Sequence, residues 1–527
     1  MMGRTSVWGL CLAVAIGTWT GCSSAGSAEG EDVSVGEERG GSDEDADVAG
    51  GEDDSGDGRD GGLDGGDEEG GEGDGGSVDG GAEEDGGSTS GCVAPSPPSF
   101  DYVVAPGGRA GGAGTLDDPL SLEAAFSEAG PVGPGDRVML RGGVYEGRYA
   151  PGVSGEEGAP VVFFAEPGER VTLDSGSATG VGSELDTGVL VEGEWVELRG
   201  LEVTSSAERS ALVSGLTIYG ANTKLINSVI HDTAQGISFW KPAVDSELYG
   251  NIIFNNGYEG TSRGHGHAIY TQNLEGTKRI ADNVIFFGYA FGLHAYTEGG
   301  DIQGFDIEKN VWFRTGASRP GASRVGISDG ALIGGLQPVA RATLRGNHSW
   351  APTINARSTR VGWGGSVQNE DITFLDNYLV GLVAAQGHWS TGVLENNAFY
   401  SELSGIDPAM YPDNLYGGSL PTENRVVLQV NEYSAGRAHL IIYNWEMREE
   451  VEVDLGAFAD PGASYTIRSV YDVWGPPVAQ GTYEGEGVRV PMGSVAPPQP
   501  AGDLQGIIGD DDPGAAFGVF VVEVGCL

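Results

Sequence analysis

Leu225-Ile226-Asn227-Ser228-Val229-Ile230, Tyr249-Gly250-Asn251-Ile252-Ile253, Ile280-Ala281-Asp282-Asn283-Val284-Ile285 and Ile307-Glu308-Lys309-Asn310-Val311 repeat one unit, an asparagine set between aliphatic residues. Leu344-Arg345-Gly346-Asn347-His348, Phe374-Leu375-Asp376-Asn377-Tyr378 and Leu394-Glu395-Asn396-Asn397-Ala398 continue it. Adjacent copies lie about 20 to 37 residues apart, which suits one coil of a solenoid with loops of variable length. Short period-2 strands bounded by Gly, Asn and Asp give the same reading. Asparagine at a bend tolerates unusual backbone angles, and its amide can bond the coils above and below. Asn227, Asn251, Asn283, Asn310, Asn347, Asn377 and Asn397 are therefore expected to form a scaffold ladder with no part in catalysis.

Upstream of the repeats, Asp101-Tyr102-Val103-Val104-Ala105-Pro106-Gly107-Gly108 leads through a Gly-rich loop to a helix-period stretch with Leu122, Ala125, Phe126 and Ala129 on one face. Pro134-Gly135-Asp136-Arg137-Val138-Met139-Leu140-Arg141-Gly142-Gly143-Val144-Tyr145 follows. The first rung of a solenoid has an open core that something amphipathic must cover. This order of elements resembles the N-terminal cap of right-handed parallel β-helix proteins of the pectate-lyase-like superfamily. The resemblance implies an all-β fold, a right-handed parallel β-helix solenoid over residues 99–421. After the repeats the pattern changes. Arg425–Val430, His439–Trp445, Val451–Leu455, Ser464–Arg468, Gly487–Pro491 and Gly518–Val524 read as strands of a C-terminal β-sandwich over 422–527, expected to cap the open end of the solenoid.

The other end of the chain carries different information. Residues 1–21 hold Arg4, a short apolar run Val7–Ile16 and small residues, the layout of a secretory signal. Thr18-Trp19-Thr20-Gly21-Cys22 resembles the lipobox of bacterial lipoproteins, with Trp19 where an aliphatic residue is usual. It implies a lipid anchor on Cys22, the alternative being simple cleavage. Residues 22–98 form an acidic Gly/Asp/Glu-rich linker, too poor in apolar side chains to offset chain entropy. It reads as a disordered spacer; a calcium-binding Gly/Asp repeat needs a regular nonapeptide that Gly61-Gly62-Leu63-Asp64 does not keep. The expectation is export, with the chain tethered to the outer membrane or cell surface by its lipid, or else secreted. Cys92 and Cys526 remain as an expected disulfide in an oxidising compartment, or as two separate thiols. The formal charge of −49 argues against nucleic acid as a partner.

Chemistry-bearing residues concentrate between Gly236 and Asp306. Gly236–Lys241, Ala268–Asn273 and Gly292–Glu298 can be laid in register, with Gly215–Gly220 upstream. Strand alternation sends Ile237, Phe239, Ile269, Thr271, Leu293 and Ala295 into the coil. It leaves one outward column of Thr217, Ser238, Tyr270 and His294, and another of Tyr219, Trp240, Gln272 and Tyr296. Outward rings make a platform on which sugars stack, so Tyr219, Trp240, Lys241, Gln272 and Tyr296 are candidate substrate contacts. The competing reading is that a loop or the C-terminal module packs over them. Beside this face, Glu259-Gly260-Thr261-Ser262-Arg263-Gly264-His265-Gly266-His267 supplies a cation and two imidazoles, which with His294 suit acid and base work near neutral pH. They suit a transition metal too, although no zinc spacing is present. Glu298 and Asp301 offer carboxylates for calcium, for glycoside hydrolysis, or simply for a turn.

Three functions follow. A polysaccharide lyase must neutralise a uronate carboxylate, remove the adjacent carbon-bound proton and protonate the leaving oxygen. Arg263 or calcium at Glu298 and Asp301 would do the first, His265 or His267 the second, Tyr270 or His294 the third. The resemblance to familiar lyases implies a Lys or Arg base with an acidic calcium cluster. A glycoside hydrolase would use Glu298, Asp301 or Asp306. The last reading is a non-catalytic protein of the envelope that binds glycans. A Ser/His/Asp order with a nucleophile elbow, a phosphate loop and a redox CxxC are all missing from the sequence.

Overall fold

The computed structural model describes residues 98–525 except 177–182, 210–211, 260–263, 319–328 and 502–511. Cys22, Cys92, Cys526 and Arg263 lie outside the described residues. Three parallel sheets wind around one core. Sheet A has 11 strands from Tyr102–Arg109 to His388–Glu395, and sheet B 11 from Gly143–Glu146 to Leu415–Gly417. Sheet C has nine, from Ser183–Val191 to Leu403–Ser404. The repeat builds this directly. Leu225, Leu248, Ile280, Ile307, Leu344 and Phe374 stack in register along sheet A and point into a shared core. Among the described residues, no helix is long and apolar enough to cross a membrane.

The asparagine ladder stands between sheets A and B, with one correction. Asn251, Asn283, Asn310, Asn347, Asn377, Asn397 and Asn414 each pass an amide hydrogen bond to the next, at 2.8 to 3.1 Å. Each also accepts from, or donates to, backbone of neighbouring coils, as Asn310 donates to Ile280 O at 2.7 Å. Asn227 is not a member: Ser228 takes its rung, and Asn227 pairs with Asn431. The unusual backbone belongs to the residue before the ladder. Asn227, Asp282, Lys309, Asp376 and Asn396 have φ between 51° and 58°. Bend and ladder are thus neighbouring jobs, and Asn227 does the first.

Both ends of the solenoid are covered. At the start, the helix Leu122–Phe126, capped by Ser121, lays Leu122, Ala125 and Phe126 over the first rungs, while Ala129 is exposed. At the far end Leu403, Ile406, Tyr411 and Tyr416 close over the core. The C-terminal module is therefore not the end cap expected of it. Its five-stranded antiparallel sheet and a two-stranded sheet enclose their own core of Leu440, Ile442, Val453, Ile467 and Val490. The other face of the larger sheet, with Ile441, Tyr443, Phe517 and Val519, packs lengthwise on the outside of sheet B. Ile252-Ile253-Phe254, Val284-Ile285-Phe286 and Val311-Trp312-Phe313 explain why. Strands apolar on both faces need cover on both, and the rings of Phe254, Phe286 and Phe313 stack 5.0 Å apart under the module.

An ion network rims this seam. Glu202 accepts from Arg170 and Thr172, and His231 bridges Glu202 (2.9 Å) and Asp232 (2.8 Å). Asp232 also accepts from Arg209 and from Ala501 N. Burial alone would pull the His231 imidazole down, but Asp232 and Glu202 raise it to about 9. Burial pushes the Glu202 carboxyl up, yet hydrogen bonds from His231, Arg170 and Thr172 bring it to about 2.

Candidate active site

Sheet C carries the site, and the expected register holds there. Ile237, Phe239, Ile269, Leu293 and Ala295 join the core, and Thr271 points inward to bond Phe239 O at 2.9 Å. Thr217, Ser238, Tyr270 and His294 align on successive strands, and the column continues through Leu332 to Arg360. Beneath the next column, Lys278 reaches through the corner of the coil and donates to the carbonyls of Phe239, Trp240 and Gln272. Burial pushes its ammonium well down, while three carbonyl acceptors match the three donors of the charged form.

His267 and His294 meet. Nδ1 of His294 lies 3.1 Å from Nε2 of His267, and Tyr270 packs 5.5 to 5.7 Å from both rings. Phe291 closes the other side, 4.6 Å from His294. The joining of the imidazoles comes from chain geometry. Gly266 adopts φ +74°, which turns the strand between His265 and His267. His265 is left on a two-stranded hairpin, stacked on Tyr258 at 5.4 Å, and does not join the pair.

The aromatic platform is only partly open. Tyr219 is 41% exposed and lies parallel to the half-buried Trp240 at 6.5 Å. Tyr270 and His294, expected to face outward into solvent, are 8% and 6% exposed. Lys241 lies 3.8 Å from Asp301. Glu298 is exposed and lends its carbonyl to Gln337. The expected calcium pair is thus not assembled with the histidines. A hard cation wants several oxygen donors with carboxylates among them, whereas Glu298 is exposed and Asp301 lies against Lys241, so the residues beside the histidines do not fit calcium. Among the described residues, no three His, Cys, Asp or Glu side chains are grouped to hold a metal. Asp306 stands on sheet A beside Arg279 and Thr343, a different face from Glu298 and Asp301, so the expected carboxylate set for hydrolysis is divided.

Sequence reasoning missed three neighbours. Asp329 falls in the column of His267 and Phe291, whose carbonyls bond successive strands: His267 O accepts from Gly236, Phe291 O from Ala268, Asp329 O from Gly292. Arg360 lies 3.0 Å from Asp329 and 5.2 Å from the ring centre of Trp363. Trp363 in turn meets Tyr296 edge to face at 5.8 Å. Extending the register two strands past His294 would have found Arg360.

Comparison with known proteins agrees with this frame. The family model described as Pel9A-like, right-handed β-helix region, matches residues 102–284. The solenoid is a pectate-lyase-like β-helix. Pectate lyase L of Dickeya chrysanthemi is 24% identical over 300 residues, which cover 52% of this chain and 64% of that protein. Pectate lyase L of Dickeya dadantii is 29% identical over 123 residues, 22% of this chain and 28% of that protein. Among solved structures, pectate lyase Pel9A aligns with TM-score 0.41 at 18% identity, covering 61% of this chain and 82% of its own. The matched region of the pectate-lyase-like β-helix contains His267 and Tyr270 and ends before His294.

Proposed function

We propose that the protein is a polysaccharide lyase that cleaves an acidic polysaccharide by β-elimination on the outer face of sheet C. The contact of His267 with His294 beside Tyr270 carries this reading. In a hydrogen bond between two imidazoles the accepting ring has its lone pair engaged, while the donating ring, when neutral, keeps a free lone pair on its other nitrogen, the state a general base requires. The donating ring takes the proton from the carbon next to the uronate carboxylate. The electron pair forms a carbon–carbon double bond, the bond to the leaving oxygen breaks, and the Tyr270 hydroxyl supplies that oxygen with a proton. Tyr219, Trp240, Lys241, Gln272 and Tyr296 hold the sugar chain. The likeness to pectate lyases over part of their length supports the substrate class.

Uronic-acid polymers assayed for absorbance of the unsaturated product test the proposal. Wild type is expected to form product on at least one polymer, and His267→Ala and His294→Ala to lose about a hundredfold or more in kcat. Absence of product on every polymer, or full activity in both variants, would overturn it. Because calcium does not fit the site, a chelator is expected to leave the rate unchanged; loss of activity restored by added calcium would show a metal at work.

The same proposal places the enzyme outside the cell. Residues 1–21 direct export, Cys22 carries the lipid, 22–98 act as spacer, and Cys92 with Cys526 closes the folded part. Incorporation of labelled palmitate that survives in wild type and vanishes in Cys22→Ala is the expected result.

A further inference from the structure

Arg360 differs from Arg209 in what its side chain is bonded to. Arg209, 9% exposed at its side chain, donates to Asn255 O, Gly257 O, Asp232 and Ala501 O. Arg360 is 12% exposed and its neighbour Asp329 3%, yet their one contact, Nη2 to Oδ2 at 3.0 Å, is too poorly aligned to be a hydrogen bond. Among the described residues the Arg360 side chain makes no hydrogen bond, and Oδ2 of Asp329 has none either. A guanidinium has five donors in a rigid planar fork that matches a carboxylate bidentately. The fork carries no protein acceptor and its nitrogens reach solvent, so it is open to an incoming carboxylate.

The surroundings say what would fill it. Arg360 continues the column of Tyr270 and His294 with Leu332 between, so it stands two strand spacings, about 9–10 Å, beyond His294. Trp363 lies against the guanidinium, and Tyr296 against Trp363. Flat rings beside a cation suit a sugar that carries a carboxylate: the ring faces take the pyranose and the fork takes the acid. Asp329 balances the charge and steadies the arginine without occupying the fork.

We propose that Arg360, steadied by Asp329 and walled by Trp363 and Tyr296, forms a subsite that takes the carboxylate of a uronate unit two rungs along from His294. The subsite rests on the lyase reading for its substrate class and deepens it, since it makes this face select acidic over esterified chains.

Titration calorimetry on the full chain tests it, using a galacturonate trisaccharide, a mannuronate trisaccharide and the methyl-esterified galacturonate trisaccharide. Wild type is expected to bind at least one acid at least tenfold more tightly than the ester. Arg360→Met is expected to lose that preference, and Arg360→Lys to keep part of it, as a point charge without the fork. On a polymer that is cleaved, the Arg360→Met loss is expected mainly in KM. Should Arg360→Met fail to fold by near-ultraviolet circular dichroism, the Arg360→Lys result decides. Acid binding by Arg360→Met equal to wild type, wild-type binding of acid and ester alike, or no binding of either acid would each overturn the proposal. Acid binding that depends on Arg360, with no unsaturated product on any polymer, would sustain the subsite and dismiss the lyase.

Discussion

At the scale of single residues, the asparagine ladder shows what a sequence discloses and what it hides. The repeated Asn was legible, because few other side chains both donate and accept between stacked coils. Its partner in the bend was not, since Asp282, Lys309, Asp376 and Gly346 share no side-chain chemistry and only a left-handed φ. Asn227 fell on the wrong side of that boundary for the same reason. Asn310 is fully buried, accepts from Asn283 and donates to Asn347 and Ile280 O. Asn310→Ala strands these groups, so denaturant unfolding is expected to show a loss of about 2–4 kcal/mol. A loss under 0.5 kcal/mol would mean that the ladder is decorative. His231 makes a second prediction. Its folded pKa is raised from 6.5 to about 9, so its contribution is complete below pH 6.5 and fades as pH rises through 9. Thermal unfolding of wild type should therefore decline across that window, and His231→Gln should lack the decline.

Among the elements, the strand pair on either side of Gly266 decides whether the site exists. A Cβ there would lie 1.9 Å from Ala234 O, in a backbone conformation that L-residues disfavour. Gly266→Ala is expected to move His267 from His294 and abolish turnover. Gly364 has a similar φ of +66° with nothing within 4 Å, so Gly364→Ala is the matched control and should cost only about 1 kcal/mol. Equal behaviour of the two would deny Gly266 its special place. Sheet C itself was readable from alternation, down to which side chains enter the core. Arg360 and Asp329 escaped because the loops between their strands vary in length, and register is lost when the eye follows sequence instead of rungs. Burial of Tyr270 and His294 was equally hidden, for alternation gives direction and not cover.

For the whole molecule, the module along sheet B was misplaced by sequence reasoning although its signal was present. Apolar triplets such as Ile252-Ile253-Phe254 cannot serve a sheet with one wet face. Sheet B is covered by the module and part of sheet A is held by Glu432 and Tyr433, which bond Arg279 and Glu247; sheet C is reachable at its edge, where Tyr219 is exposed and Trp240 and Tyr296 are half-buried. The most direct measurement is a crystal structure of His294→Ala, full chain, soaked with an acidic trisaccharide. The account predicts sugar rings along Tyr219, Trp240 and Tyr296, with a uronate carbon at His267. A sugar bound instead on sheet A or on the C-terminal module, with sheet C bare, would contradict it.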